Sequence, residues 1–259
     1  MPSIRRTVGI GILLIVSSVA AASADPILVT DGRFVAASAI VNAQPPTVVV
    51  NTPSAPFSPF TASASATATA AAFTAQTTST QHSSLGSTLF SASGSIDSSA
   101  DVSAPEGFAF ANGSSTFEIE FDLSMPYSFA LTGSIAVDDM ELGGGFGEVE
   151  VSLGTEPVSG GIDVVAGDDI RFGSQLLDFT GVLPAGRHRL LVEASTESVA
   201  SDGLAHHGSN FDVDFALTPT PEPPSIFLLG AGTVVLATKR RLARRGITYL
   251  TETRQASVR

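Results

Sequence analysis

The chain has 259 residues and a formal net charge of −12 at pH 7, from 25 acidic side chains against 13 lysines and arginines. Such an acidic chain repels phosphate backbones, which argues against nucleic acid as a partner. The sequence contains no cysteine, and this excludes thiol catalysis, a disulfide framework and cysteine-based zinc sites.

The N-terminus has the three parts of a secretory signal peptide. Arg5 and Arg6 form a positive region, residues 8–19 form an apolar run, and small residues follow. Ala22-Ser23-Ala24 fits the cleavage site of signal peptidase, so we expect residues 1–24 to be removed and the mature chain to start at Asp25. A retained transmembrane anchor is the alternative interpretation.

The C-terminus has a second ordered signal. The tripeptide Pro221-Glu222-Pro223 is followed by an apolar run at residues 225–238. The run would form a helix roughly 21 Å long, shorter than a bilayer core of about 30 Å. It therefore suits a short transmembrane helix that stops transiently in the inner membrane, with the basic cluster after it on the cytoplasmic side. The basic cluster consists of Lys239, Arg240, Arg241, Arg244 and Arg245. A plain tail anchor is the alternative.

Tripeptide, apolar run and basic cluster, in this order, resemble the PEP-CTERM sorting signal of exported Gram-negative bacterial proteins. This tail motif is also labelled an ice-binding protein C-terminal domain. The resemblance implies that residues 219–245 are recognised and processed by exosortase, a membrane protease, and that the protein is associated with exopolysaccharide and biofilm. Residues 246–259 form a polar extension that the family pattern usually lacks.

The region between the two signals is more acidic than the whole chain. Residues 25–222 contain 4 arginines against 24 acidic side chains, which gives a net charge of −20. This length is sufficient for one domain with a sizeable core, and we place that domain at residues 25–218.

Alternating apolar and polar residues predict that this domain is all-β. Residues 117–123 turn Phe117, Ile119, Phe121 and Leu123 to one side, which is the period of a half-buried strand. Residues 129–137 repeat the pattern after Pro126, so we predict a β-hairpin from these two strands. Further strands are predicted within 149–153, 170–172, 176–179, 187–195 and 211–217, with a turn at 183–186.

Residues 25–100 are rich in Ser, Ala and Thr and give a less clear pattern. We predict one strand within each of 27–41, 47–50 and 85–96, and a long strand of small residues at 61–69 rather than a disordered linker. Many short strands with Gly and Pro turns predict an antiparallel two-sheet β-sandwich that is jelly-roll-like. Residues 179–186 resemble the penultimate hairpin of many PEP-CTERM sandwich domains.

No residue pattern predicts a catalytic site. The His206-His207 pair lies in a Ser/Gly/Asp-rich stretch that we predict to be a solvated loop, and His188 between two arginines is predicted to be exposed. The sequence has no Gly-x-Ser-x-Gly elbow for a serine nucleophile. Glu118-x-Glu120 and Glu148-x-Glu150 are each predicted to face solvent, opposite the apolar side of a strand.

Two acidic clusters are the candidate calcium ligands, because calcium prefers carboxylate and carbonyl oxygens near turns. They consist of Asp138, Asp139 and Glu141, and of Asp163, Asp168 and Asp169. The favoured interpretation is that these acids keep strand edges soluble, so we predict no cofactor, with calcium as the alternative.

The sequence thus predicts an exported structural protein of the cell surface or extracellular matrix, and not an enzyme. Signal peptidase and exosortase are its expected processing partners, and exopolysaccharide is a further expected partner. The alternative is a secreted β-sandwich module that binds polysaccharide or calcium, although the absence of tryptophan argues against sugar stacking. Ice binding and hydrolase activity are further alternatives without a supporting local motif.

Overall fold

The computed structural model describes residues 25–42, 44–104, 107–140, 144–155 and 163–220, without the side chains of Asp139 and Met140. These residues form thirteen β-strands in two antiparallel sheets, and they contain no helix that could span a membrane. The predicted all-β sandwich is therefore confirmed.

Sheets A and B form the two layers of the sandwich. Sheet A contains, in spatial order, β10 (Asp163–Ile170), β9 (Gly144–Thr155), β12 (Gly186–Ala200), β7 (Ala109–Leu123), β2 (Phe34–Val41) and β3 (Thr47–Asn51), with β1 (Ile27–Asp31) also paired to β7. Sheet B contains β11 (Gly173–Leu183), β8 (Tyr127–Met140), β13 (Gly203–Pro219), β6 (Leu89–Val102), β5 (Phe73–Leu85) and β4 (Phe60–Ala70).

Half of the core consists of large apolar side chains. Phe121 of sheet A packs against Phe90 and Phe215 of sheet B, with ring centroids 5.6 and 5.7 Å apart. The predicted inward residues of 117–123 and 129–137 all belong to this cluster, except Gly133. Their alternation produces strands because every second side chain is removed from water while its neighbours stay hydrated.

The other half of the core consists mainly of small side chains, with Phe60 as its one large buried apolar side chain among the described residues. Alanines of β2 and β4 are buried there, and β5 turns Thr77, Ser79, Gln81 and Ser83 inward. The buried Ser79 hydroxyl donates to the Ala36 carbonyl at 2.7 Å, which satisfies it without a large apolar partner. This is why residues 25–100 lack the apolar alternation found later in the chain, although the predicted strand at 61–69 is confirmed as β4.

The predicted hairpin is wrong. Its two strands are β7 and β8, which belong to opposite sheets and do not pair. Three residues, 124–126, connect them across the sandwich. Three extended residues span about 10 Å, which is about the distance between two packed sheets. The alternating pattern is the same for two strands of one sheet and for two strands that face each other across a core.

Three further expectations need correction. Residues 27–41 contain two strands, β1 and β2, rather than one. Phe172 lies between the end of β10 and the start of β11, so it does not belong to a strand, and 75% of its surface is exposed. The turn at 183–186 connects β11 in sheet B to β12 in sheet A, so residues 179–186 do not lie in a hairpin of one sheet.

Candidate functional site

The predicted sorting and cleavage residues lie mostly outside the described residues. Pro221, Glu222, Pro223 and the basic cluster are beyond Thr220, and Ala22 and Ala24 precede Asp25. Asp25 is exposed, and β1 begins two residues later. At the other end, Thr220 holds the chain to the sandwich, because its backbone N–H and its hydroxyl both donate to the Pro126 carbonyl, at 3.1 and 2.8 Å.

The outer surface of sheet B carries an array of hydroxyl groups on β4, β5 and β6, which we call the hydroxyl face. The three strands lie side by side in continuous register. The hydroxyl face consists of Thr61, Ser63, Ser65, Thr67, Thr69, Thr74, Thr78, Thr80, Ser84, Ser91, Ser93, Ser95 and Ser99, with Gln76 and His82 among them. The sequence predicted β4, but not that two more polar strands would lie beside it.

Hydroxyls of neighbouring strands pair with one another across this face. Thr80 Oγ1 lies 2.7 Å from Ser95 Oγ, and Ser84 Oγ lies 2.8 Å from Ser91 Oγ. The exposed His82 has its Nδ1 2.6 Å from Thr61 Oγ1. A shallow concavity of about 530 Å³ lies over the face where β4 begins, between His82, Ser93 and Ser63. The surface around the concavity therefore consists of neutral donors and acceptors without Phe, Tyr or Trp, while Asp97 and Asp101 lie on the same outer side of β6, opposite Thr78 and Thr74.

Most of the hydroxyl face belongs to an uncharged stretch of an acidic protein. The sequence has no Asp, Glu, Lys or Arg from Phe34 to Ile96. This stretch supplies β2 to β5 and part of β6, which together form one side of the sandwich. The acidic residues of the folded domain are therefore concentrated on the other strands.

The candidate calcium ligands are divided between the two sheets. Asp138 and Asp139 lie at the end of β8 in sheet B, and Glu141 lies outside the described residues. Asp163, Asp168 and Asp169 lie along β10 in sheet A, with Gly167 inside the strand rather than in the predicted turn. The Asp168 carboxylate accepts hydrogen bonds from the Gln175 side chain and the Asp169 N–H. Within the described ranges, no three His, Asp or Glu side chains are grouped so as to hold a metal ion.

The His206-His207 pair lies in strand β13 and not in a loop. His206 points outward, with Nε2 3.1 Å from Asp97 Oδ2. His207 is buried between the sheets, with Nδ1 3.0 Å from Ser198 Oγ, and Ser198 Oγ lies 2.9 Å from Ser98 Oγ. Both serines are fully buried, so no substrate can reach this Ser-His pair, and we interpret it as a polar network that joins the two sheets.

His188 is buried, which contradicts the predicted exposure. It points into the core beside Phe121, with ring centroids 5.6 Å apart, and its Nε2–H donates to the Pro184 carbonyl at 2.9 Å. Burial lowers the pKa of His188 below its ordinary value of 6.5, although the Pro184 hydrogen bond and the charge of Asp122 oppose this effect. We therefore assign His188 to the neutral form near pH 7, with a structural role.

The outer surface of sheet A carries the main concentration of charge. Three arginines form ion pairs there, of which Arg189 to Glu118 is the shortest at 2.7 Å. The predicted outward position of Glu118, Glu120, Glu148 and Glu150 is confirmed. These carboxylates face away from the core on a sheet surface, where we find no enclosing cleft among the described residues.

Glu193 is the acidic residue of this surface that sequence reasoning missed. It lies on β12 directly opposite Glu150 of β9. Burial raises the pKa of the Glu193 carboxyl above its ordinary value of 4.5, and the charges of Glu150, Glu118 and Glu148 raise it further against the effect of Arg189. The charged form of Glu193 therefore destabilises the folded state at neutral pH.

Replacing Glu193 by glutamine should increase the free energy of unfolding at pH 7 by about 0.5 to 1 kcal/mol. A raised folded pKa means that Glu193 contributes stability below its unfolded pKa, near 4.5, and loses it as the pH rises through the folded value. The advantage of the variant should therefore disappear at pH 4. Urea unfolding followed by circular dichroism at both pH values measures this, and an advantage of equal size at pH 4 would contradict the charge explanation.

Comparisons with known proteins do not assign the chain to a family. No protein-family model matches it, and no curated protein matches it. The crystal structure of the enzymatically active domain of tailspike protein 4 from bacteriophage CBA120 is similar over 54% of this chain and 19% of its own, with a TM-score of 0.21 and 13% sequence identity. The chain thus spans about a fifth of that protein's length, and a likeness of this size carries no argument about fold or activity.

Proposed function

We propose that this protein is an exported structural component of the cell surface or extracellular matrix, sorted by a PEP-CTERM signal and processed by exosortase. The observation that carries the proposal is the ordered pair of terminal signals: the signal peptide before Asp25, and the tripeptide, apolar run and basic cluster after Thr220. Exopolysaccharide is the expected surrounding of such a protein.

The position of the folded body supports the proposal. All described strands lie between Ile27 and Pro219, so cleavage before Asp25 and cleavage near Glu222 would remove none of them. Thr220 fixes the end of β13 to Pro126, directly before the tripeptide. The signals can therefore be cut away without opening a sheet, as an exported domain with removable signals requires.

Cell fractionation of the native host tests the sorting step. The wild-type protein should be recovered at the cell surface or outside the cell, and the Pro221→Ala/Glu222→Ala/Pro223→Ala variant should be retained in the inner membrane. Pro219→Ala is the matched control, because it changes a nearby proline at the end of β13, outside the tripeptide, and should be exported like the wild type. Equal distribution of wild type and triple variant would contradict the proposal.

We also infer that β6 to β13 form a jelly roll. In sheet B the order is β6-β13-β8-β11, and in sheet A the order is β7-β12-β9-β10. Eight strands that are divided between two sheets in these two orders are typical of two nested Greek keys. The strands β2 to β5 then extend the same side of both sheets.

A second candidate function, binding of a neutral polysaccharide, is favoured by the hydroxyl face. Its hydroxyls and amide carry no charge and present a concavity of about 530 Å³, which suits hydrogen bonding to a polymer rich in hydroxyl groups. The face lacks the aromatic platforms that usually stack on sugar rings. Binding would therefore depend on many weak hydrogen bonds that act together.

Sedimentation of the protein with exopolysaccharide from its native host tests this second function. Wild type should sediment with the polymer, and Thr80→Val with Ser93→Ala should reduce the bound fraction at least threefold. Ser152→Ala on the outer surface of sheet A is the control. Unchanged binding in the double variant would assign any polymer contact to another surface.

A further inference from the structure

The strand β4 lies at the end of sheet B, and within the described residues no strand pairs with its outer edge. It has 11 residues, Phe60–Ala70, and pairs with β5 without a register shift. An unpaired edge presents a row of N–H and C=O groups that can pair with a strand of another chain.

The other end strands carry features that prevent such pairing. The strand β3 has only 5 residues and lies between Pro46 and Pro53. The strand β10 contains three aspartates and a register shift between Val164 and Ala166, and β11 carries the exposed Asp178. Charges, prolines, bulges and short length are the devices by which sheet edges avoid association. Pro59 directly precedes β4, but within Phe60–Ala70 the strand has no charge, proline or bulge, and it is longer than β3.

The hairpin geometry shows which backbone groups point outward from β4. Only two residues, Ala71 and Ala72, connect Ala70 to its partner Phe73, so the even-numbered residues exchange hydrogen bonds with β5. The odd-numbered residues, 61 to 69, then direct their N–H and C=O groups to the open edge. The Asn51 side chain donates to the Ser63 carbonyl at 2.7 Å, which agrees with this assignment. A carbonyl oxygen has two lone pairs, so Ser63 would share its oxygen between Asn51 and a paired strand.

The charge distribution indicates what kind of partner the edge can take. A second copy of this domain carries the same net charge of −20 over residues 25–222, and two such copies repel at most orientations. The uncharged stretch from Phe34 to Ile96 includes β4 and its neighbours β3 and β5. An approach through β4 therefore brings two copies together where neither carries a carboxylate.

We propose that two copies of this chain pair antiparallel through their β4 edges, about a two-fold axis at Ser65. Ser65 is the middle residue of Phe60–Ala70, and its outward backbone groups would bond those of Ser65 in the second copy. The two six-stranded sheets become one continuous sheet. The alternation of β4 places serine and threonine on its outer side and alanine on its inner side, so the hydroxyl face also becomes continuous across the axis.

Sedimentation velocity over a dilution series tests the dimer, using the protein recovered from its native host. Wild type should show a dimer that dissociates on dilution, and Ser65→Lys should raise the dissociation constant at least tenfold because the two lysines would meet at the axis. Ser65→Pro should act similarly, since it removes an outward N–H and leaves the β5 ladder intact. Ser95→Lys is the matched control, because it adds the same charge to the same face on the inner strand β6, and it should remain dimeric.

A cysteine variant tests the register, since the chain has no cysteine of its own. Opposed residues of a hydrogen-bonded antiparallel pair lie about 5.5 Å apart at Cα, within the range of a disulfide. Oxidation should therefore crosslink Ser65→Cys into a dimer and leave Ser95→Cys uncrosslinked. A wild type that is monomeric at every concentration would overturn the proposal, as would equal dissociation of Ser65→Lys and Ser95→Lys. If Ser65→Pro does not fold, the lysine and cysteine variants decide the result.

Discussion

Replacing Arg33 by methionine should lower the free energy of unfolding by about 3 to 5 kcal/mol, because it leaves a buried carboxylate without its partner. Arg33 is fully buried, and Asp31 is 4% exposed at its side chain. The guanidinium donates to both Asp31 carboxylate oxygens at 2.7 Å, to Ser83 Oγ at 3.1 Å and to the Ser58 carbonyl at 2.7 Å. It thus joins β1, β5 and the segment that precedes β4.

The pH dependence of stability gives this prediction a second readout. Burial raises the pKa of Asp31, but the hydrogen bonds from Arg33 and the Phe57 N–H and the charge of Arg33 outweigh it and hold the pKa below 3.8. Asp31 in the wild type therefore contributes stability above its unfolded pKa and loses it as the pH falls through the lower folded value. Without Arg33, burial would raise the pKa of Asp31 above its unfolded value, so the variant should take up a proton on folding where the wild type releases one.

Arg171→Met is the matched control for Arg33→Met. Arg171 also pairs with a carboxylate, Glu148 at 3.1 Å, but its side chain is 74% exposed. Its replacement should change the free energy of unfolding by less than about 1 kcal/mol. Urea unfolding at pH 7 followed by circular dichroism compares both variants, and equal losses would show that the buried position of Arg33 has no special role.

Replacing Phe121 by alanine should cost about 3 to 5 kcal/mol of unfolding free energy. Phe121 is fully buried in sheet A and contacts Phe90 and Phe215 of sheet B. Its removal leaves a cavity between the two layers, and the surrounding strands are held by their ladders and cannot close it fully. Differential scanning calorimetry or urea unfolding measures the loss.

Phe172→Ala is the control for the Phe121 variant, since the chemical change is the same and 75% of Phe172 is exposed. We expect this control to change the free energy of unfolding by less than about 0.5 kcal/mol. If both variants lose the same stability, the aromatic cluster between the sheets does not have the structural role that we assign to it.

The sequence was sufficient to predict which large apolar side chains face the core, but not which polar ones do or which strands are neighbours. Within the predicted strand 187–195, alternation puts Leu190 and Val192 on the inner side, where the structure has them. His188 has the same parity, so the pattern also contains the signal for its burial. His207 likewise shares the parity of Phe211 and Val213. For both histidines, the position in the alternation and not the polarity of the side chain determines burial.

Strand pairing could not be predicted because alternation describes only the two sides of a strand. Residues 117–123 and 129–137 follow one another closely, yet they pack face to face across the core instead of pairing in one sheet. The hydroxyl face was missed for the same reason: each of β4, β5 and β6 is polar on one side, but only their register makes one surface of them. The small-residue core made these strands harder still to recognise.

The measurement that tests the sorting proposal most directly is the intact mass of the protein recovered from its native host. The proposed function predicts that the wild-type mass is that of a chain that starts at Asp25 and lacks residues 225–259. The Pro221→Ala/Glu222→Ala/Pro223→Ala variant should have the mass of a chain that retains residues 225–259. An unprocessed C-terminus in both proteins would contradict processing by exosortase and would indicate a domain that stays attached to the membrane by its tail.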